Sequence, residues 1–142
     1  MRLPSIVISL QEDLMMIVKD YNIKLLKLEW RIKKVGLAKR RAETERIPHD
    51  IYGFRLILEK EEACHTIGMT IRKLNTVRRY RDYISNPWND GYQSIHIDLL
   101  IEKYPIEIQL RTKLMDTLSK RLIEEKGQKY WKETGFRKHI SL

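Results

Sequence analysis

The chain reads as an α+β domain: a mixed β-sheet of about four to five strands, with an antiparallel hairpin, flanked by helices. Three features predict this. Apolar residues recur at helical spacing near both ends, and they alternate with period two at three places in between. Two of the alternating stretches also follow one another across a turn-like Glu102-Lys103-Tyr104-Pro105. The 142 residues suit a single domain over 1–142: an N-terminal helix in 1–22, a sheet-and-helix centre in 23–111, and a C-terminal helix and tail in 112–142.

Ser9-Leu10-Gln11-Glu12 has capping-box spacing and precedes Leu14, Ile17 and Val18, which predicts a first helix from about Ser9 to Tyr21. The period then changes to two. Leu26, Leu28, Trp30 and Ile32 alternate with Lys27, Glu29, Arg31 and Lys33, a strand with one charged face that Gly36 ends. Leu37 to Arg46 is short, basic and helical in character, and Pro48 closes it. Asp50 to Leu58 is a second strand, and Glu59 to Leu74 a helix with Ala63, Ile67, Ile71 and Leu74 on one side. Asn75 to Asp90, with Pro87 and Asn89-Asp90-Gly91, is expected to be a loop.

The hairpin comes next. On its first strand Gln93, Ile95, Ile97, Leu99 and Ile101 share one face, and Tyr92, Ser94, His96 and Asp98 the other. On its second, Ile106, Ile108 and Leu110 oppose Glu107, Gln109 and Arg111. A helix from Lys113 to about Lys132, with Leu114, Leu118, Leu122 and Ile123 as its apolar side, closes the chain.

A net charge of +9 favours a polyanionic partner, although a solvated basic surface gives the same number. No apolar run approaches the length of a membrane span, and the apolar N-terminal stretch is too short for a signal peptide. One cysteine, Cys64, excludes an internal disulfide and a cysteine-rich zinc site, so a cytoplasmic location is the default expectation.

If the strongest strands share one sheet, its polar face gathers Arg31, Lys33, Arg55, Tyr92, His96 and Glu107, with Asp50 opening the second strand. Two carboxylates among several cations suit a magnesium-bound nucleotide, because Mg²⁺ prefers one or two carboxylates with phosphate oxygens and water. Phosphoryl chemistry is then mostly positioning and charge neutralisation. Each residue has a plainer reading: Asp50 as a turn cap, His96 as a satisfied structural histidine, Tyr92 as core, and Arg111 as a salt-bridge partner of Glu107. The lone His49-Asp50 pair is a weak metal signal, and no phosphate-binding glycine loop is present.

Asp50-Ile51-Tyr52-Gly53-Phe54-Arg55, Arg79-Tyr80-Arg81-Asp82-Tyr83-Ile84, Gly91-Tyr92-Gln93-Ser94-Ile95-His96 and Glu107-Ile108-Gln109-Leu110-Arg111-Thr112 follow one another as in RelA/SpoT-type alarmone synthetases. The chain resembles a small, synthetase-only member of that family over about Leu28 to Arg111. The resemblance implies a nucleotidyltransferase-like domain that transfers the β,γ-pyrophosphate of ATP to the 3′-hydroxyl of GDP or GTP. The products would be (p)ppGpp and AMP, and the role a stringent-response type of signalling.

By motif, Asp50 and Glu107 would hold Mg²⁺, and Glu107 would activate the attacking hydroxyl. Arg31 and Arg55 would sandwich the adenine, with Lys33 and Arg41 of the Lys39-Arg40-Arg41 run on the ATP phosphates. Tyr92 would stack on the acceptor guanine, and Arg79, Arg81 and His96 would serve the acceptor or transferring phosphates. Gln109 and Arg111 would support them. Such members are commonly homo-oligomers, often tetramers, and the resemblance leaves room for an antitoxin partner.

The chain departs from the family pattern between Lys34 and Pro48, which is short and lacks the usual Ser-Ile, and at Trp88 and Asp90, where lysine and asparagine are usual. These departures keep two further readings open. One is a toxin-type synthetase acting on the tRNA 3′ end or an adenosine nucleotide. The other is an inactive nucleotide- or RNA-binding module.

Overall fold

The computed structural model describes residues 3–33, 51–127 and 140–141. Asp50, Arg41 and the basic stretch expected to be helical from Leu37 to Arg46 lie outside them. Among the described residues the elements are α1 (Ser5–Asp20), β1 (Leu25–Lys33), β2 (Ile51–Leu58), α2 (Glu61–Leu74), β3 (Val77–Asp82), β4 (Ile95–Ile101), β5 (Tyr104–Thr112), α3 (Lys113–Lys126) and the two-residue β6 (Ile140–Ser141).

The sheet order is β3-β4-β5-β2-β1-β6. The β2–β5 pair is parallel and the other pairs are antiparallel, which makes the sheet mixed as the sequence predicts. The anticipated hairpin is β4–β5, with Ile101 opposite Tyr104. Leu56, Leu58, Ile95, Ile97, Ile106, Ile108 and Leu110 fill the apolar side of the sheet, and Leu10, Leu14, Cys64, Ile67 and Ile71 of α1 and α2 pack with them into one core. Burying this many branched side chains, each stabilising by roughly 1.5–3 kcal/mol, is the main force holding the layers together.

Four boundaries differ from expectation. The first helix starts at Ser5, after Pro4 at its N-cap, so Ser9 is an exposed residue inside the helix and no side chain caps it. Proline's fixed φ suits a helix entry, and Val7 and Leu10 already lie on the buried face. Part of the expected loop is a strand, β3, whose arginines are tolerable because it is an edge strand with one neighbour. The first hairpin strand begins at Ile95, and Gly91–Ser94 forms its approach. Finally, Gly127 ends α3 with φ +69°, a conformation glycine adopts freely.

The apolar side of α3 is also rotated from the expected one. Leu114 is 83% exposed, whereas Met115, Asp116, Ser119, Leu122 and Ile123 are buried. Leu74 at the end of α2 is likewise exposed. The reason for the α3 rotation lies in the sheet: α3 runs along its polar face, so its buried side must match polar groups. Thr112 sets that rotation by capping the helix, its Oγ1 accepting from the Met115 N–H at 3.3 Å.

Candidate active site

Strand register aligns the polar side chains in two rows across the sheet. The first runs Arg79, Asp98, Glu107, Gly53 and Arg31, taken from β3, β4, β5, β2 and β1 as successive Cα partners. The second, one pleat deeper, runs Arg81, His96, Gln109, Arg55 and Glu29. Period-two alternation therefore brings together residues separated by most of the chain. Lys33 extends the charged face of β1 beyond Arg31, opposite Ile51.

The two rows differ in access. In the outer row Glu107 and Asp98 are half-buried and Arg79 is exposed, while Arg31 is buried. Gly53, a buried strand residue, stands between Arg31 and Glu107 in the register and places no side chain between them. Burial pushes the Glu107 carboxyl above its ordinary range, and Asp98 across the strand pair pushes it further. Lys33, Arg31 and Arg81 pull the other way. Arg81 donates to both carboxylate oxygens of Asp98, at 3.0 and 2.8 Å.

The inner row is covered except at Arg81 on the sheet edge. Arg55, Gln109, His96 and Glu29 are all buried, as is Arg111 one step further along β5. Arg55 Nε donates to Gln109 Oε1 at 3.1 Å, and Arg111 Nη2 donates to the same oxygen at 2.6 Å. Arg111, which the sequence pairs with Glu107, lies instead 3.4 Å from Asp116 of α3.

Tyr92 is a fully buried ring. Trp88 packs on it at a centroid distance of 4.7 Å, and the Arg111 guanidinium lies 5.4 Å from its centre. Its hydroxyl accepts from Arg111 Nη2 at 2.8 Å and stands 2.7 Å from His96 Nε2. A guanidinium only donates, so the hydroxyl oxygen accepts from Arg111 and its own proton is available to an unprotonated His96 Nε2. Burial, followed by Arg111, Arg81 and Arg55, holds the His96 pKa well below the usual imidazole range. Neutral His96 with its proton on Nδ1 satisfies both observations.

The approach to β4 is pinned by local bonds. Asp82 Oδ1 accepts from the N–H groups of Ile84 and Ser85, and Asp90 Oδ1 from that of Tyr92, all at 3.0 Å. Gly91 takes φ +93°, and its N–H bonds to the Trp88 carbonyl. Tyr83 and Trp88, both half-exposed, form an edge-to-face pair beside Tyr92 and His96. Sequence reasoning assigned no site role to Asp98, Glu29, Asp116, Tyr83 or Trp88. For Asp98 and Glu29 a signal existed, since both share the face of assigned residues.

A divalent cation fits the outer row chemically. Glu107 is a carboxylate whose ionisation is disfavoured until positive charge arrives, and Asp98 is its cross-strand neighbour. Among the described residues no group of three or more histidine, cysteine, aspartate or glutamate side chains could hold a metal by itself. Asp50, the other carboxylate expected to hold the ion, lies outside the described residues.

The family model describing the region found in RelA / SpoT proteins matches residues 26–136, which takes in both rows and α3. The chain belongs to the RelA/SpoT family. Over 70 residues it is 43% identical to the probable GTP diphosphokinase RSH3, chloroplastic, of Oryza sativa subsp. japonica, covering 47% of this chain and 10% of that protein. The chain thus matches only about a tenth of the length of such relatives.

This RelA/SpoT-family fold is also seen in small alarmone synthetase 2 from Bacillus subtilis, at TM-score 0.63 and 22% identity over 93% of this chain and 78% of that one. Small alarmone synthetase 1 from the same organism, bound to its product pppGpp, matches at TM-score 0.53 and 21% identity over 83% and 72%. No helix among the described residues is long and apolar enough to cross a membrane.

Proposed function

We propose that the chain is an ATP-dependent pyrophosphokinase acting on a guanosine nucleotide, GDP or GTP. The observation that carries this reading is the position of Glu107: a half-buried carboxylate on a floor shared with Arg31, Lys33 and Arg81, in a family whose members include GTP diphosphokinases.

In this reading the acceptor 3′-oxygen forms a bond to the β-phosphorus of ATP, the bond from that phosphorus to the α,β-bridging oxygen breaks, and AMP leaves. Glu107 takes the hydroxyl proton, a role favoured by a pKa raised toward neutrality. Lys33 and Arg31 neutralise charge on the ATP side, joined by Arg41. Arg79 and Arg81 serve the phosphates at the acceptor edge, where His96 offers a neutral Nδ1–H. Tyr92 serves the acceptor end by orienting His96; its ring meets a guanine only if the Trp88 segment moves aside. Arg55 lies on the ATP side beneath α3, where it donates to Gln109 and pairs with Glu29. Mg²⁺ held by Asp50 and Glu107 would supply charge neutralisation at the triphosphate.

A second acceptor is favoured by one observation. Asp98 occupies Arg81, and Asp90 occupies Lys126 at 2.7 Å, which removes free positive charge where a small acceptor's phosphates would sit. Under that reading the net charge of +9 serves a longer polyanion, the tRNA 3′ end. Incubating the protein with labelled ATP and Mg²⁺, and with GDP, GTP, ATP and tRNA offered separately, tests both. Product on GDP or GTP with release of AMP is the expected result. Label transfer to tRNA alone selects the second reading, and no transfer to any acceptor overturns both.

A further inference from the structure

Between the sheet and α3 lies a buried layer whose carboxylates the proposed reaction leaves unexplained. It contains two guanidiniums, those of Arg55 and Arg111, and the carboxylates of Glu29 and Asp116. One oxygen, Asp116 Oδ1, lies 3.4 Å from Arg111 Nη1 and 3.9 Å from Arg55 Nη1. The other, Oδ2, is 3.1 Å from Lys120 Nζ at the rim. On the far side Glu29 Oε2 is 3.6 Å from Arg55 Nη1, with Lys27 at 3.0 Å from Oε1. Arg55 is thus held between a carboxylate from β1 and a carboxylate from a helix.

Two buried like charges that both donate to Gln109 Oε1 are unstable without counter-charge. Burial, then Arg111, weakens the charged form of Arg55; Asp116 and Glu29 are among the groups that support it. Of those two carboxylates, Asp116 alone comes from outside the sheet. It lies in the first turn of α3, four residues after the Thr112 cap, so the docking of that helix and the orientation of Arg55 are linked.

We propose that Asp116 is a positioning residue for ATP: from α3 it fixes the direction of the Arg55 guanidinium, and through Arg55 it sets the affinity of the nucleotide end of the site. This rests on the reading that Arg55 contacts ATP. The bland alternative is that Asp116 merely neutralises Arg111, and the two separate experimentally.

The test is calorimetric titration of Mg²⁺-ATP, steady-state kinetics in each substrate and thermal unfolding for wild type, Asp116→Asn, and the double variant Arg111→Met with Asp116→Asn. Asp116→Asn is expected to raise the ATP Kd about tenfold, as a misdirected binding group does, with the acceptor KM within about twofold. The double variant removes one charge of each sign, so it is expected to fold even where the single variant does not. It should keep the raised ATP Kd, because Arg55 still lacks the Asp116 carboxylate that directs it from the α3 side. An ATP Kd restored to the wild-type value in the double variant overturns the proposal, as does an acceptor KM that rises in step with the ATP Kd. Wild-type protein that binds no ATP would overturn the functional reading together with this one. Normal wild-type binding that Asp116→Asn leaves unchanged would overturn this one alone.

Discussion

Asp98 and Glu107 stand directly opposite one another on β4 and β5, two carboxylates on one face, and Arg81 binds the first of them. The pairing explains why Glu107 holds its proton beyond the ordinary carboxylate range: burial contributes most, and the Asp98 charge adds to it. Replacing Asp98 by Asn removes the opposing negative charge and leaves Arg81 without its carboxylate. Both changes favour ionised Glu107, so its pKa falls. The acidic limb of the pH–rate profile should move to lower pH in Asp98→Asn. An unmoved limb, measured with saturating ATP and acceptor, would show that another group controls it.

Glu107→Gln separates chemistry from stability. Loss of the general base is expected to lower kcat by about 10²–10⁴-fold. Stability should respond in the opposite sense. A raised folded-state pKa means that stability is fully present below the unfolded value and is lost as pH rises through the folded value. At neutral pH the wild type bears that cost and the neutral amide does not. Thermal unfolding of Glu107→Gln at pH 7 should therefore occur at or above the wild-type temperature; a clear fall would point to a structural role for the carboxylate.

Much of this site was legible in the sequence because strand alternation is a strict rule. Arg31, Arg55, Glu107 and His96 occupy the face that counting residues assigned to them. What alternation does not reveal is how deep a residue lies on its face. Arg55 and Glu107 are two residues off register on neighbouring strands, yet α3 covers one and leaves the other half-open. That cover was misjudged because a helix packed on a polar face hides Asp116 and Ser119 while exposing Leu114. Apolar counting points to the wrong side of such a helix. β3 was missed for a related reason: edge-strand arginines read like loop composition until their partner is known.

Tyr92→Phe keeps the ring packed against Trp88 and removes the hydroxyl between Arg111 and His96. A buried donor and a buried acceptor then lose their partner, which should cost about 1–3 kcal/mol in each folded molecule. Denaturant titration measures this. The imidazole ¹⁵N spectrum gives the sharper readout: the wild type should show unprotonated Nε2 and protonated Nδ1, and the variant a mixture of tautomers. A wild-type histidine protonated on Nε2 would rule out the deduced bond direction.

Gly53 separates Arg31 from Glu107 in the outer row. Among the described glycines with positive φ are Gly91 and Gly127 but not Gly53, so its backbone is ordinary strand that any residue can adopt. What the glycine contributes is the lack of a side chain between Arg31 and Glu107, at a buried position of the strand. Gly53→Val is expected to raise the ATP KM by about 100-fold by placing a side chain between Arg31 and Glu107, with thermal unfolding measured beside it to confirm that the variant folds. Wild-type kinetics in a folded variant would mean that the nucleotide does not pass between Arg31 and Glu107.

The fully buried His96 makes stability depend on pH in a direction fixed by its depressed pKa. Between the folded and unfolded values the unfolded chain binds the extra proton, so stability rises with pH there. The contribution is complete above the ordinary imidazole pKa of 6.5 and is lost as pH falls from there toward the folded value. One proton gives a slope of about 1.4 kcal/mol per pH unit. Carboxylates add their own dependence at lower pH, so the diagnostic comparison is His96→Gln against wild type, by denaturant titration from pH 7.5 down to about 5. The variant should be less stable at pH 7.5, because Gln cannot reproduce the imidazole's packing between Tyr83 and Tyr92. It should also lose less stability on acidification, so the two curves converge. Parallel curves would show that folding leaves the imidazole's proton affinity unchanged, which would remove the pH dependence argued here.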